Sequence, residues 1–517
     1  MSIRHKLYKS ILSRKTKRGT TDKTSRDNIR QREIHDLLKS QHDMSLDSIK
    51  IPEHLIHKYL FMKNYEDVHI DGVKVLDVTN EGEGLAIIPR QRYDSDASEN
   101  DFTVVAIPKT VPGDIVTVSL RRHHMFFAEA ELILVSRKSR KQSRRNDRLV
   151  VCKHFSKCSG CQLQMLSYED QLQFKKRTIE KAYRYFFPQI FDNLPPNFAE
   201  VMPSPMQFAY RTKLTPHAQI PKDLKSEDLP LPVGFLDVRA MQPVVDVDSC
   251  AVASPEINMA LPKEKVRFNQ DLEGLIDGSK KKVDPTFVLR LSIRIDHNTG
   301  EFEDVCLTKR KNVVTEKVDE YVFQLEANEF FQNNRSILPI LLDYIKCNVK
   351  SIDYNYIVDA YCGCGFLGIG LSSTLPDEGK LFGIEIALKA IKYAAHNAKI
   401  NGLHIPTKAV FVEGNSDEMF KMKEFAECGA VGEEALVLMN PSRKGSTPAF
   451  MKQLLEFRPK AIVYISCNPF TQARDLADFE ALQRRSTTKY RIKALTGFDF
   501  YPQTKHVESV AILELIE

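Results

Sequence analysis

DAYCGCGFLGIG, Asp359–Gly370, follows the apolar run Tyr356-Ile357-Val358. A strand ends, glycines make a tight turn, and a helix begins. The glycines let a ligand approach the backbone, and the helix N-terminus favours polar or anionic groups. A glycine-rich turn alone is also compatible with a plain strand-to-helix connection. The second signal is Glu385 in LFGIEI, 26 residues after Asp359 and at the end of the next apolar run. A carboxylate there accepts hydrogen bonds from both hydroxyls of a ribose. This spacing fits a nicotinamide cofactor and S-adenosylmethionine equally.

Outward from this stretch, apolar runs alternate with helical ones. KAVFVEG, ALVLMNP and AIVYISC read as further strands, Ala387–Asn401 as a helix, and VESVAILELIE as a closing strand. Such alternation predicts a parallel sheet covered on both faces, an α/β doubly wound Rossmann-like domain over 326–517. The strand ALVLM stops at Asn440-Pro441-Ser442-Arg443, so a binding tip is expected at the sheet's carboxyl end. AIVYIS stops at Cys467-Asn468-Pro469, which sets a thiol at that same end.

The N-terminal half reads differently. VKVLDVTNEGEGLAIIP, FTVVAIPKTVPGDIVTVSLRR and MFFAEAELILVS are short alternating strands separated by Gly and Pro turns. They predict a small β-barrel over 64–138, of a kind that binds oligonucleotides, with a polar loop at Asp94–Asp101. Residues 1–63 read as a basic extension ending in weak helix, and 150–325 as a central α+β region with a helix near 168–186.

The chain has 517 residues and a net charge of only +6, but the charge is uneven. Arg4–Arg18 contains no acid, and Arg137–Arg148 holds seven basic residues against one acid. Solvated faces and phosphate-contacting segments both look like this. The first run also fits a nuclear or mitochondrial address. No stretch approaches the ~20 apolar residues of a membrane span, which excludes a helical membrane protein and leaves nucleus, cytoplasm and mitochondrion open. Ten cysteines are too sparse for a disulfide scaffold and fit a reducing compartment.

Taken together, these motifs resemble the S-adenosylmethionine-dependent RNA uracil-5-methyltransferases. ANEFFQNN, DAYCGCG, GIEI, NPSRKG, YISCNPFTQARDL and KHVESVAIL follow in the family's order. SPMQFAYRTK and VGFLDVRAMQPVVDVDSC match its central region, and the early strands resemble its TRAM barrel. Uracil C5 is too weak a nucleophile to attack a methyl sulfonium until a thiolate has added to C6. The resemblance therefore implies Cys467 as nucleophile and Glu508 as the base that removes the C5 proton. It implies cofactor contacts from Gln332, Asp359, Tyr361, Gly363, Gly365, Glu385 and Asn440. Uracil contacts are implied from Gln332, Asn440 and Arg443. A side-chain amide offers the acceptor and donor that the uracil edge needs. Asn440 stands where the family usually has aspartate, Asn415 where it often has aspartate, and Gln503 where histidine is common.

Cys152, Cys158 and Cys161 form C-x5-C-x2-C, and Cys250 lies 89 residues further on. By spacing this is a zinc site, an iron–sulfur site or a set of half-buried thiols. By resemblance to the ribosomal-RNA branch it is a four-thiolate [4Fe–4S] cluster, structural or RNA-docking in role. The expected activity is methylation of tRNA at uridine 54, by a monomer that binds neither membrane nor DNA. Ribosomal RNA is the alternative substrate. A non-catalytic RNA-binding or chaperone protein on the same scaffold is the rival of another class, and it would need neither Cys467 nor Glu508.

Overall fold

Alternating Val, Ile and Ala positions close the N-terminal strands on themselves. The computed structural model describes residues 22–41, 44–56, 69–136, 143–238, 244–295 and 301–516. In it β1 (His69–Val78), β2 (Glu83–Pro89), β3 (Phe102–Pro108), β4 (Ile115–His123) and β5 (Ala128–Val135) form a closed barrel in the order β1-β2-β3-β5-β4. Closure leaves no edge strand to pair with another chain. Val73, Val75, Ile88, Val105, Ile107 and Val118 fill the interior. The first alternating segment thus supplies the β1–β2 hairpin, the second supplies β3 and β4, which β5 separates, and the third supplies β5; the polar loop falls between β2 and β3.

The helix Arg26–Ser40 is capped by Ser25, whose hydroxyl accepts from the amide of Asn28. It buries Ile34, Leu37 and Leu38 in one cluster with Leu85, Val104, Ala106 and Phe127 of the barrel wall. Arg30 pairs with Glu83 of β2. The expected extension over 1–63 is therefore divided, because its helical part shares a core with the barrel. Arg4–Arg18, and Arg137–Gln142 of the second basic run, lie outside the described residues.

The chain divides into two compact units, one from 1–156 with 160–170 and the other from 157–159 with 171–517. The second unit takes in both the central region and the doubly wound domain, expected as separate parts. Its first strands are short: β6 (Val201–Met202), β7 (Lys213–Leu214), β8 (Gly234–Phe235) and β9 (Val245–Asp246). They are followed by β10 (Leu289–Ile295), β11 (Phe302–Leu307), β12 (Val313–Val318) and β13 (Tyr321–Glu326). The doubly wound part adds β14 (Tyr356–Asp359), β15 (Lys380–Glu385), β16 (Ala409–Glu413) and β17 (Ala435–Met439). It ends with β18 (Ala461–Ser466), β19 (Tyr490–Phe498) and β20 (Glu508–Leu515). One eight-stranded sheet runs β16-β15-β14-β17-β18-β20-β19-β6.

β6 explains why the two parts are one unit: a central-region strand pairs in parallel with β19 at the sheet's edge. Asn334, fully buried, ties the same region together by donating to Ser204 Oγ (3.0 Å) and to the carbonyl of Phe500 (3.1 Å). The sheet's centre is parallel from β16 to β18, as the βα alternation requires. All residues of β17 and β18 are buried, which is why they read as unbroken apolar runs. β20 enters antiparallel between β18 and β19. The helices Tyr168–Phe186 and Leu388–Ile400 lie where the sequence sets them; β19 had no counterpart in the sequence reading.

Candidate active site

At the carboxyl ends of β14, β15, β17 and β18 a cavity of about 660 Å3 opens. This is where ligands bind in open α/β sheets. Gln332, Tyr361, Gly363, Glu385, Asn440, Arg443, Cys467 and Glu508 all line it. Eight residues marked out along 177 positions of sequence (332 to 508 inclusive) are thus brought to one space.

The glycine turn forms one wall. Gly363 (φ +52°) faces open space, so no Cβ intrudes on a ligand. Glu385 accepts from the amide of Gly363 at 3.3 Å through Oε2 and from the amide of Ala387 at 3.1 Å through Oε1. Both backbone bonds hold the carboxylate at the mouth and leave lone pairs for two hydroxyls. Tyr361 OH lies 3.1 Å from Ser446 Oγ, which fixes its ring on the opposite side.

Asp359 and Gly365, expected among the cofactor contacts, do not line the cavity. Gly365 (φ +90°) precedes the helix Phe366–Leu371, and a Cβ there would meet Ile369 Cδ1 at 2.7 Å. Its role is to let the turn pack. Asp359 is buried beneath the turn and accepts from the amide of Gly368 at 3.1 Å. Burial pushes its carboxyl up to about 7, against the hydrogen bonds it receives. Its Oδ1 is buried with no hydrogen-bond partner in the protein, an orphaned acceptor below the cofactor turn.

The other end holds the chemistry. β18 and β20 are antiparallel with Ser466 opposite Ser509. One step further along this register sets Cys467 opposite Glu508. Directly opposed residues point to the same face of a sheet. Asn468 stops β18 by capping the helix Pro469–Gln483: its side chain accepts from the amide of Phe470 at 3.2 Å, and Pro469 occupies the first turn. An N-cap of this kind stabilises a helix by about 1 kcal/mol, and here it also ends the strand at the thiol.

Glu508 is only 4% exposed. Burial pushes its carboxyl up to about 7, partly opposed by Arg443. Burial, and then the charge of Glu508, push the Cys467 thiol up to about 11, while Arg443 pulls it down by charge and hydrogen bond. At neutral pH the thiol is therefore mostly protonated, and bound partners must favour its ionised form. Arg443 therefore stabilises the anionic form of both groups.

Several residues that support the site were not marked by the sequence reading. Asp475, in the quoted run YISCNPFTQARDL, accepts through Oδ2 from the amide of Ser446 (2.7 Å) and from Tyr464 OH (2.6 Å). Its Oδ1 accepts from Arg474 (2.7 Å), which also donates to the carbonyl of Lys444 (2.8 Å). One carboxylate thus ties the Asn440–Ser446 loop to β18. Gln472 donates to the carbonyls of Tyr464 (2.8 Å) and Ser509 (3.0 Å), clamping β18 to β20 just behind the Cys467–Glu508 pair. Gln503 sits across from Gln171, each accepting from the other (2.9 and 3.0 Å); its work is structural. Lys175 and Asp499, both fully buried, form an ion pair, and Lys175 also holds the carbonyl of Tyr501 at 3.0 Å beside the cavity. Such contacts have no spacing signature: they run from neighbours such as Arg474 and Asp475 to pairs more than 300 residues apart.

The four cysteines give a different result. Cys152, Cys158, Cys161 and Cys250 are all half-buried thiols. Among the described residues, no group of three or more His, Cys, Asp or Glu side chains is gathered to hold a metal ion.

A doubly wound sheet with a glycine turn, an acid at the next strand end and a cavity over both is the architecture of a domain that binds a nucleotide cofactor. A family model described as tRNA (Uracil-5-)-methyltransferase matches residues 294–516. The tRNA (uracil(54)-C(5))-methyltransferase of Saccharomyces cerevisiae is 33% identical over 97% of this chain and 83% of its own length. That of Schizosaccharomyces pombe is 33% identical over 85% of this chain and 77% of its own. The crystal structure of Pyrococcus abyssi tRNA (uracil-54, C5)-methyltransferase in complex with S-adenosyl-L-homocysteine superposes with a TM-score of 0.57. It covers 86% of this chain and all of its own, at 22% identity, and so shares the fold. The chain belongs to the tRNA (uracil-5-)-methyltransferase family, enzymes dependent on S-adenosylmethionine. Among the described residues, no helix is long and apolar enough to cross a membrane.

Proposed function

We propose that the protein transfers a methyl group from S-adenosylmethionine to C5 of uridine 54 in tRNA. The observation that carries this reading is that Cys467, directly after β18, and Glu508, the first residue of the adjacent antiparallel strand β20, both line the cavity that also holds Gln332 and Asn440. The names of both yeast relatives support tRNA over ribosomal RNA. A binding-only scaffold has no use for a buried base beside a thiol.

The residues lining the cavity fit the cofactor. Glu385 would take the ribose hydroxyls, and Gly363 would let the methionine part approach the backbone. When bound, S-adenosylmethionine supplies an electrophilic methyl group. The protein does the rest. Cys467 Sγ, as thiolate, adds to C6 of the flipped uracil, and the C5–C6 electron pair is freed to act at C5. Once C5 carries the methyl, Glu508 accepts the C5 proton, the C5–C6 double bond reforms, and the thiolate leaves. Asn440 accepts from N3–H through its carbonyl and donates to a flanking uracil oxygen, and Gln332 serves the other. Arg443 stabilises the thiolate that starts and ends the cycle.

The test is a methyl-transfer assay on unmodified tRNA transcripts. We expect 5-methyluridine at position 54 and nowhere else, and no transfer when uridine 54 is replaced by cytidine. Methylation of ribosomal RNA with tRNA left untouched would overturn the substrate.

The [4Fe–4S] reading is supported by the resemblance of the Cys152, Cys158, Cys161 and Cys250 pattern to that of the ribosomal-RNA branch, and no step depends on it. Protein purified without air should carry about four irons per chain if four thiolates hold a cubane. Metal analysis finding no iron in such protein ends that reading.

A further inference from the structure

Away from the cavity, the segments Val283–Val288 and Thr308–Lys311 face one another across a groove of about 450 Å3. The acids on its walls are already neutralised. Asp271 pairs with Lys280, Asp284 with Arg310 at 2.8 Å, and Glu264 with Arg267 at 3.2 Å. Four lysines are left over. Lys309 and Lys311 stand on one wall, while Lys281 and Lys282 lead directly into the other at Val283. All four are exposed, and among the described residues none has an acidic partner. With Glu273 and Asp277 of the adjoining segment counted, the groove and its approach carry seven cationic against five anionic side chains, a positive excess that raises the local potential and draws polyanions.

The groove is coupled to the reaction centre. The carbonyl of Arg310 accepts from the amide of Asn328 at 3.2 Å, and that of Asn312 from the amide of Ala327 at 2.9 Å. Gln332, in the cavity wall, is four residues beyond Asn328. A large substrate with one base at Gln332 therefore has more of its backbone within reach of Lys309 and Lys311.

We propose that this groove is a second RNA-docking surface, which holds a phosphodiester segment of the tRNA outside the loop that is methylated. The proposal rests on tRNA being the substrate. Its chemistry is ammonium to phosphate, so it fixes position without reading sequence. It also assigns work to exposed lysines that neither the barrel nor the cavity uses.

The test measures binding of intact unmodified tRNA and of an isolated T-arm hairpin as salt is varied. Lys309→Gln/Lys311→Gln should weaken intact tRNA on the order of tenfold at 0.15 M salt and flatten the log–log salt slope by about 1.5, as expected for two lost phosphate contacts. Lys281→Gln/Lys282→Gln should do the same. Hairpin affinity and S-adenosylmethionine affinity should stay at parental values, the latter showing that the fold is intact. An unchanged tRNA slope overturns the proposal, and so does an equal loss on the hairpin, which would move the contact to the T-arm. Parent protein that loses tRNA affinity on these substitutions yet never methylates tRNA would leave the surface standing and sink the enzymatic reading.

Discussion

Cys467→Ala should reduce methyl transfer to tRNA by roughly 10^4-fold or more, the scale of losing a covalent nucleophile. Without the sulfur there is no route by which C5 becomes nucleophilic. The effect should lie in the chemical step: affinities for tRNA and S-adenosylmethionine should stay within about threefold, because Cys467 lines only one end of the cavity. RNA with 5-fluorouridine at position 54 gives the sharper readout. Fluorine cannot leave as a proton, so the parent enzyme stalls as a covalent adduct visible on a denaturing gel. The alanine variant should give none. Parental turnover by that variant would mean that the nucleophile is elsewhere.

Glu508→Gln should have an effect of comparable size but of a different kind. Glutamine keeps the shape and hydrogen bonding and cannot accept a proton. Addition and methyl transfer precede proton removal, so this variant should accumulate a methylated protein–RNA adduct on ordinary tRNA, with turnover lowered by about 10^2 to 10^4. A radiolabelled methyl group should run with the protein only in this variant. The pH dependence has a definite sign. With its carboxyl up at about 7, Glu508 is protonated at pH values where an ordinary glutamate is ionised. Release of product by the parent should therefore slow as pH falls through 7, and adduct decay in the glutamine variant should not follow that profile. Parental release of free product by the variant would show that water or another residue is the base.

Much of the fold was legible because burial writes itself into sequence. β17 and β18 are buried on both faces and appear as unbroken apolar runs, and the barrel strands alternate because one side faces a core. Several cavity residues could be found since they sit where such a run stops: Glu385, Asn440 and Cys467 all mark strand ends. Two things escaped. β19, Tyr490–Phe498, contains Arg491 and Lys493 and begins half-exposed, so its pattern resembles that of a surface segment. The bracing groups escaped for a different reason. Asp475, Gln472 and Lys175 act through partners up to 326 residues away, as in the Lys175–Tyr501 contact; nothing local distinguishes them from solvated polar residues. Asp359 shows the converse, a motif position whose side chain serves the turn and does not reach the cavity wall.

The register of β18 on β20 fixes more than the identity of two residues. Opposed positions on neighbouring strands stand about 5 Å apart in any antiparallel sheet, and the Gln472 clamp holds these two strands at Tyr464 and Ser509. The clamp therefore fixes the spacing of the two strands, one ending just before the sulfur and the other beginning at the carboxylate. A small covalent ligand could be built to that arrangement, with a soft electrophile for Cys467 and a neutral hydrogen-bond donor for Glu508. Proteins with an equally exposed cysteine but no carboxylate on the facing strand would be passed over.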